Sequence, residues 1–244
     1  MAQSKQSVNG QVHTLQQQKV ALQPEQNYLA MLGHSAFPDT EAMIIIRLSN
    51  DDLTGAKFEA LINATRLRYK SFKIIMADTI EGHLVGSREQ GKDMAAEWLV
   101  KNAQYMTDKE INGIISWDKI AGGAVFKRKH DMLKLLYTGN DDARYYINMT
   151  CADRMRRLVG KTPANNNGAD QKELMKNVLN YRLEELAGLA ILRDKNDIPE
   201  LSTEDFVSDD RLYDRLSKET LIMPRIYPVT FQVVSNNTPL SLED

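Results

Sequence analysis

The first residue that could take part in a reaction in this 244-residue chain is Ser49, which ends the apolar run AMIIIRLS. A hydroxyl at the carboxyl end of a buried strand projects towards the cleft where α/β proteins bind ligands. A turn serine that only bonds a local backbone amide fits the same place. The surrounding RLSND is not a G-x-S-x-G elbow, and no His–Asp pair accompanies it, so a hydrolase triad is poorly supported.

Tyr181 and Glu185 form the second candidate, four residues apart in LNYRLEELAGL, which has the apolar spacing of a helix. Helical periodicity places both at the margin of the apolar stripe. Burying a carboxylate there is costly unless a cation or donor meets it. Glu185 is therefore either a partly exposed glutamate or part of a pocket wall that holds an ammonium group. Arg182, inside the stripe, either neutralises Glu185 or reaches another carboxylate.

The third candidate is Tyr227 with Pro228, in IYPV near the end of the sequence. Proline cannot donate to a strand ladder, so it favours a strand edge or a strand end. Tyr227 then either points into the cleft or is an ordinary strand aromatic.

The elements that must position these residues alternate between strand and helix. Three apolar runs predict strands, and five amphipathic segments predict helices. Thr54 is the expected N-cap of the first helix, and Ser87 with Gln90 forms a capping-box pattern for the second. The strands are predicted at 42–48, 72–78 and 112–117, and four of the helices at 55–70, 88–106, 142–160 and 169–192. The remaining helix follows the third strand and carries Val125, Phe126, Leu133 and Leu136.

The alternation predicts an α/β fold, a mostly parallel sheet with helices on both faces. A short strand, a Pro-marked break and a last strand follow at 221–234. Residues 1–38, rich in Gln, Asn and Ser, are expected to form a mobile arm in which QNYLAML makes a short helix. Residues 39–244 are expected to form a single catalytic domain.

The composition narrows the function classes. The chain has 31 basic and 33 acidic residues, so nucleic-acid binding needs a local patch. Its one cysteine excludes a disulfide framework within the chain and suits a reducing compartment. It has no apolar run long enough to span a membrane and no signal-peptide pattern at its start. We expect a cytoplasmic protein.

Taken in order, the three candidate motifs resemble those of the tRNA-dependent cyclodipeptide synthases. The stretches IISWDKI and LYTGNDDARYYI are also similar to the family, and the resemblance covers about residues 40–235. Asp52, three after the serine, and the Tyr227–Pro228 pair match the Tyr-Pro subfamily rather than the one marked by Asn and Tyr-His. The resemblance implies a Rossmann-like fold similar to the catalytic domain of class I aminoacyl-tRNA synthetases.

The resemblance also implies an aminoacyltransferase whose substrates are two aminoacyl-tRNAs. The hydroxyl of Ser49 attacks the ester of the first and keeps its amino acid as an aminoacyl-enzyme. Tyr181 and Glu185 hold the α-amino group of that residue. The second aminoacyl-tRNA gives a dipeptidyl-enzyme, and cyclisation releases a 2,5-diketopiperazine. Tyr227 orients or shuttles protons around the reacting carbonyl. Because the ester is already activated, no cofactor or metal is expected, and we expect a monomer.

The implied substrate-binding residues are Ile45, Arg47, Asp52 and Pro228. Family members often have glycine at the place of Arg47, so the joined amino acids do not follow from the resemblance. Two basic groups are candidates for tRNA binding, although charged helix faces are usually just solvated. The first comprises Lys127, Arg128, Lys129 and Lys134. The second comprises Arg154, Arg157 and Lys161, predicted opposite an apolar face of Tyr145, Met149, Ala152 and Val159.

Two other functions compete. A class I synthetase-like enzyme would use ATP, and RLSKE at 215–219 faintly resembles its KMSKS loop, but no HIGH-type motif follows the first strand. A non-catalytic Rossmann-like module would bind tRNA or nucleotide and would not need Ser49.

Overall fold

The computed structural model describes residues 28–32, 41–161, 168–192, 200–202, 212, 216 and 228–235. Within these ranges six strands form one sheet in the order β1-β6-β5-β2-β3-β4. Neighbouring strands are parallel except β1, which runs antiparallel to β6 at one edge. The strands are β1 (Tyr28–Leu32), β2 (Glu41–Ile46), β3 (Ser71–Met76), β4 (Ile115–Ser116), β5 (Glu200–Ser202) and β6 (Pro228–Ser235).

Eight α-helices lie in the same described ranges. They are α1 (Gly55–Arg68), α2 (Asp78–Val85), α3 (Arg88–Asn102), α4 (Asp108–Asn112), α5 (Trp117–Ala121), α6 (Ala124–Gly139), α7 (Asp141–Lys161) and α8 (Gly168–Leu192). Two 3₁₀ turns, Asp51–Leu53 and Ala103–Tyr105, lead into α1 and out of α3. None of the described helices is long and apolar enough to cross a membrane.

Helices cover both faces of the sheet because β2 buries alternate side chains on opposite sides. Ala42, Ile44 and Ile46 belong to one apolar core, which includes side chains of α1 and α3. Met43 and Ile45 belong to a second core, built with α5, α6, α7 and α8. The predicted strand, buried on both faces, is confirmed, and so is the mostly parallel fold class.

The amino-terminal part of the chain differs from the prediction. We expected QNYLAML to form a short helix, but Tyr28–Leu32 is a strand paired with β6. The other residues of the predicted arm at 1–38 lie outside the described residues. A short apolar run is ambiguous between helix and strand when read alone. Pairing with a distant strand decides the outcome, and nothing local signals it.

Two other local expectations change. The predicted strand 72–78 ends at Met76, and a helix that we did not predict, α2, begins at Asp78. The predicted strand 112–117 is reduced to Ile115–Ser116. The strand starts later than predicted because α4 occupies residues up to Asn112. A capping box begins α4: the side chains of Thr107 and Glu110 each accept from the other's backbone N–H.

The helix caps are confirmed in position. Ser87 Oγ accepts from the backbone N–H of Gln90 at 3.1 Å, as the capping pattern predicted. Thr54 is the N-cap of α1, but its side chain makes no cap bond. Instead the backbone N–H of Gly55 donates to Asn102 Oδ1 at 2.7 Å, so α3 caps α1 from across the core.

The carboxyl-terminal half of α8 is the centre of the helical layer. Residues 181–190 are buried without exception, and this helix packs against α2, α5, α6 and α7. A helix buried on all sides has no solvated face, so its charged residues must find partners inside the protein. The packing is close: a Cβ added at Gly188 would lie 2.5 Å from the ring of Trp117.

Candidate active site

The carboxyl end of β2 turns sharply at Ser49. The backbone N–H of Asn50 donates to the carbonyl of Arg47 at 2.9 Å, so Leu48 and Ser49 occupy the middle of a β-turn. Ser49 is half-buried in this turn. Its hydroxyl therefore stands at the edge of the sheet where parallel strands end, the position expected of a ligand-facing group.

Arg47 joins this turn to the central helix. Alternation along β2 places it after Met43 and Ile45, on the side of α8. Its Nε donates to Glu185 Oε1 at 2.9 Å, and both side chains are buried. Ser49 follows by two residues, a chain length of at most about 7 Å. The buried ion pair therefore brings the Ser49 turn close to the segment of α8 that carries Tyr181 and Glu185.

Glu185 is fully neutralised by arginines. It is 1% exposed, not partly exposed at a helix margin as one reading of the periodicity had it. Its second oxygen, Oε2, accepts from Arg182 Nη1 at 2.5 Å, so Arg182 does neutralise Glu185. Burial alone would raise the pKa of Glu185, but Arg47, Arg182 and Arg154 together lower that pKa to about 2. The group is a carboxylate at any ordinary pH.

Tyr181 lies beside a second carboxylate. It has no solvent exposure, and its O–H donates a long hydrogen bond, 3.4 Å, to Glu81 Oε1. The guanidinium of Arg154 stacks over its ring, 3.8 Å from the centroid, in a cation–π contact. Burial raises the pKa of Tyr181 further above its already basic ordinary value. The phenol is therefore a neutral hydrogen-bond donor.

Glu81, on α2, is a site residue that the sequence analysis missed. It is completely buried, and its Oε2 has no hydrogen-bond partner among the described residues. Arg154 Nη2 lies 3.7 Å from its other oxygen. Burial raises the pKa of Glu81; Arg154 opposes that shift and Glu185 adds to it. The available signal was an acidic residue just after the second buried strand, but it was lost because α2 itself was not predicted.

These contacts define an inner ionic cluster, which lies between the Ser49 turn, α2, α7 and α8. Its three cations exceed its two carboxylates by one positive charge when both acids are ionised. Charges buried in this way are kept only when each is paired. The members of the inner ionic cluster are Arg47, Glu81, Arg154, Tyr181, Arg182 and Glu185.

A separate polar group surrounds Glu184, the neighbour of Glu185 in the chain. Glu184 Oε1 accepts from Trp117 Nε1 at 3.2 Å, and Oε2 lies 2.8 Å from His83 Nε2 and 3.5 Å from Arg88 Nη2. This group ties α2, α3 and α5 to α8. Across the described ranges, no set of three or more His, Cys, Asp and Glu side chains is placed to hold a metal ion.

The structure does not bring every predicted binding residue to the Ser49 edge. Ile45 is buried in the core on the α8 side of β2. Pro228 is the first residue of β6, as its lack of a donor predicted, but it pairs with Glu200, which in turn pairs with Met43. In a parallel sheet this register sets Pro228 level with Met43 and away from the carboxyl end of β2. Tyr227 and the side chain of Asp52 lie outside the described residues.

The two basic groups fare differently. On α6, Lys127, Arg128 and Lys134 are exposed and Lys129 is half-buried. On α7 the predicted faces are wrong. Tyr145 is 60% exposed, whereas Ala143, Ile147 and Cys151 are buried.

Arg154 continues this inner face of α7, and its side chain is only 15% exposed. It faces Glu81 and Tyr181, so it does not belong to a solvated cationic face. The helical spacing predicted Arg154 on the solvated face of the helix, because arginine is seldom a core residue. The side chains of Arg157 and Lys161 lie outside the described residues.

Several solved structures share this fold at low sequence identity. A cyclodipeptide synthase from Fluoribacter dumoffii aligns with a TM-score of 0.71 and 17% identity, over 86% of this chain and 100% of that one. A cyclodipeptide synthase from Candidatus Glomeribacter gigasporarum, bound to Phe-tRNAPhe, aligns with a TM-score of 0.57 and 14% identity, over 84% and 92% of the two chains.

A Mycobacterium tuberculosis protein, described as showing that cyclodipeptide synthetases are related to type I tRNA synthetases, aligns with a TM-score of 0.56 and 13% identity over 88% and 96%. No family model matches the sequence, and no curated protein matches it. At these identities the likeness establishes the Rossmann-like fold, which agrees with the predicted one.

Proposed function

We propose that the protein is a tRNA-dependent cyclodipeptide synthase that works through aminoacyl and dipeptidyl esters of Ser49. The observation that carries the proposal is the buried ion pair between Arg47 and Glu185. It links the turn that presents a hydroxyl to the helix that presents Tyr181, across a distance of 138 residues in sequence. The fold is shared with cyclodipeptide synthases, one of them bound to Phe-tRNAPhe.

The proposed first step is transesterification. Ser49 Oγ attacks the carbonyl carbon of the aminoacyl ester, the bond to the tRNA ribose oxygen breaks, and the serine proton ends on that oxygen. The amino acid is left as a seryl ester, which keeps the activation of the original bond. The α-amine of this residue then attacks the ester of a second aminoacyl-tRNA. Attack by the new terminal amine on the seryl ester closes the diketopiperazine ring and regenerates Ser49.

Glu185 contributes by positioning. Both of its oxygens are bonded to arginines, so its charge fixes Arg47 and, through two residues of chain, the Ser49 turn. In the proposed amino-acid pocket Tyr181 is part of the inner wall, where its phenol is a neutral hydrogen-bond donor. The family resemblance assigns both residues to the substrate amine, and the contacts of Tyr181 suit that role better than those of Glu185.

Tyr227 keeps its predicted role of orienting or shuttling protons at the reacting carbonyl. Assignment to the Tyr-Pro subfamily, through Asp52, Tyr227 and Pro228, also stays a prediction, as do a cytoplasmic location and a monomeric state. Tyr227→Phe separates proton shuttling from packing, because it removes only the hydroxyl. A shuttling role predicts loss of product with normal stability, and unchanged turnover would contradict it.

For tRNA binding we propose the exposed cations of α6, namely Lys127, Arg128 and Lys134. Contacts between lysine or arginine and phosphates release counterions, so the affinity should fall steeply with salt. The net charge of the chain, −2, gives no general attraction for tRNA, so a local patch has to supply it.

The direct test is expression in a bacterium followed by mass spectrometry of the medium for cyclic dipeptides. The wild-type chain should release at least one, and Ser49→Ala should release none. Purified enzyme incubated with labelled aminoacyl-tRNA should carry the amino acid on the peptide that contains Ser49. A labelled adduct on the alanine variant would contradict the assignment of the nucleophile.

The competing functions are separated by simple assays. An ATP-using enzyme would catalyse ATP–pyrophosphate exchange; the RLSKE segment that suggested it lies, apart from Leu216, outside the described residues. A module that only binds tRNA would keep full function in Ser49→Ala.

A further inference from the structure

We propose that Glu81 is a positioning residue for Tyr181: it accepts the phenol proton in a hydrogen bond and so leaves the phenol oxygen free to accept an N–H of the α-amino group esterified to Ser49. This inference rests on the proposed function, in which the family resemblance assigns that amino group to Tyr181 and Glu185. Glu81 itself touches no substrate and acts only through Tyr181.

The chemistry of the amine requires acceptors around it. The α-amine of the aminoacyl-enzyme is the nucleophile of the second step, so the lone pair on its nitrogen must stay free and aligned for attack. A carboxylate such as Glu185 can only accept hydrogen bonds, but a phenol can donate as well as accept. A Tyr181 O–H directed at the amine would donate to the lone pair that must react. The site therefore needs another group that accepts the Tyr181 proton.

Glu81 has the position and the chemistry of that group. The O–H of Tyr181 donates to Glu81 Oε1 at 3.4 Å, and among the residues that the structure describes no other acceptor is bonded to this hydroxyl. Burial raises the pKa of Tyr181 above its ordinary value, so the phenol keeps its proton. An ionised carboxylate has no proton to donate, and the direction of the hydrogen bond is therefore fixed.

Arg154 holds both partners in place. Its guanidinium stacks over the ring of Tyr181, 3.8 Å from the centroid, and its Nη2 lies 3.7 Å from Glu81 Oε1. Burial raises the pKa of Glu81, and Arg154 opposes that shift by stabilising the carboxylate. One arginine of α7 thus restricts the phenol ring and favours the charged form of its acceptor.

The other oxygen of Glu81 argues against a purely structural role. Oε2 is buried and has no hydrogen-bond partner within the described part of the chain. A buried acceptor in this state costs stability, and such exceptions in a native protein need a specific explanation. Replacing buried charges by apolar groups is often neutral or stabilising, so folding alone does not require an acid here. Orientation of the Tyr181 hydroxyl supplies the reason.

The topology brings this contact to the edge of the sheet where Ser49 stands. β2 and β3 are parallel neighbours that end level with each other. Ser49 follows the end of β2, and α2, which carries Glu81, begins just after the end of β3. Segments that follow adjacent parallel strands converge on one crevice. Tyr181 therefore meets Glu81 at the same edge at which Glu185 meets Arg47.

The test compares the two chemical steps in Glu81→Gln. Single-turnover reactions use the full chain and the aminoacyl-tRNAs that correspond to the cyclic dipeptide released by the wild type. An amide can donate as well as accept, so it no longer fixes the direction of the Tyr181 proton. Dipeptide formation should slow about 10-fold or more, as for loss of a hydrogen bond to a charged group. Formation of the Ser49 adduct, which does not use the lone pair, should stay within about threefold of wild type.

A role through Tyr181 also predicts that two substitutions are not additive. Tyr181→Phe removes the hydroxyl and should slow dipeptide formation about 10-fold or more. Adding Glu81→Gln to Tyr181→Phe should change that rate by less than about twofold, because the proton that Glu81 accepts is already absent. A purely structural effect of Glu81 would persist in the double variant.

Two variants are matched controls. Tyr137→Phe removes another tyrosine hydroxyl, one that donates to Asn148 Oδ1 at 3.0 Å. Glu184→Gln removes the charge of another buried glutamate, which accepts from Trp117 Nε1. Neither should slow the dipeptide step more than the adduct step. A dipeptide-specific defect of the same size in either control would overturn the inference, because the step would then respond to any lost buried hydrogen bond.

The remaining outcomes are distinct. Equal slowing of both steps in Glu81→Gln, a normal dipeptide step in that variant, or a full additional loss in the double variant would each overturn the inference and leave the proposed function standing. If Glu81→Gln does not fold, Glu81→Asp takes its place in both comparisons, because the shorter side chain withdraws the carboxylate from the phenol. A wild-type enzyme that forms no Ser49 adduct would remove the proposed function, and this inference with it.

Discussion

The two faces of β2 bury different kinds of side chain. Ala42, Ile44 and Ile46 meet an apolar core in which Trp98 Nε1 donates to a backbone carbonyl at 2.7 Å. The opposite face begins equally apolar, but it leads to Arg47 and the inner ionic cluster. Burying apolar side chains stabilises a fold. A buried ion pair adds little stability by comparison, because replacing it by apolar groups is often neutral or stabilising. The first face is therefore explained by folding alone, whereas the second needs a further reason, which the proposed function supplies.

The largest expected effect separates activity from stability. Ser49→Ala should lower product formation by about 10⁴-fold or more, because Ser49 is the proposed covalent nucleophile and alanine has no group to replace its hydroxyl. Ser49 is half-buried and the substitution removes one oxygen atom, so thermal unfolding should stay within a few degrees of wild type. Product quantification and a thermal melt on one preparation check both parts. Substantial residual product would assign the nucleophile elsewhere.

A matched pair of substitutions on the two faces of β2 tests the comparison directly. Arg47→Ala leaves Glu185 with one partner and should cost about 3–5 kcal/mol. Ile44→Ala, on the apolar face, leaves a cavity and should cost about 2–5 kcal/mol. Urea unfolding measures both, and activity is compared at a temperature where each variant is folded.

Only Arg47→Ala should lose turnover under those conditions, because Arg47, unlike Ile44, joins the Ser49 turn to Glu185. If Ile44→Ala loses as much turnover per folded molecule, the two faces do not differ in function.

The two acids of the inner ionic cluster, Glu185 and Glu81, should contribute to folding stability with opposite dependences on pH. The pKa of Glu185 is lowered to about 2 in the folded state. Its stabilisation is therefore fully present above its ordinary pKa of about 4.5 and is lost as the pH falls towards 2, a difference of about 3 kcal/mol. The pKa of Glu81 is raised, so its ionisation costs stability as the pH rises above about 4.5.

Unfolding free energies of Glu185→Gln and Glu81→Gln, measured from pH 2 to pH 7, check these directions. The stability lost in Glu185→Gln should shrink as the pH falls. The effect of Glu81→Gln relative to wild type should become more favourable as the pH rises. Parallel curves for the two variants would show that the acids are not held in different environments.

How much of this site was visible in the sequence depends on the range of the interactions. The apolar run predicted β2 and the serine after it, and helical spacing brought Arg182 to Glu185, because these are local patterns. The contact of Arg47 with Glu185 spans 138 residues, and the contact of Tyr181 with Glu81 spans 100. No local period encodes such pairs.

The errors have a common physical origin. Arg154 was placed outward and Glu185 at a margin because charged residues are normally exposed. In this fold the packing of α8 against four other helices leaves neither in water. Buried charges that pay their desolvation by pairing are visible only once the elements are assembled.

The smallest expected effects concern the α6 cations and extend the comparison from the buried charges to the solvated ones. Lys127→Ala, Arg128→Ala and Lys134→Ala should each weaken tRNA binding severalfold and lower the slope of log affinity against log salt by about 1. Lys176→Ala is the matched control: Lys176 is exposed, on α8, and paired with Glu173, so its loss should leave the slope unchanged. Filter binding at salt concentrations from about 50 to 200 mM, a range in which phosphate contacts weaken measurably, gives the slope. If the α6 variants and Lys176→Ala give the same slope as wild type, the α6 cations are a solvated face only, and the tRNA contacts lie on another surface.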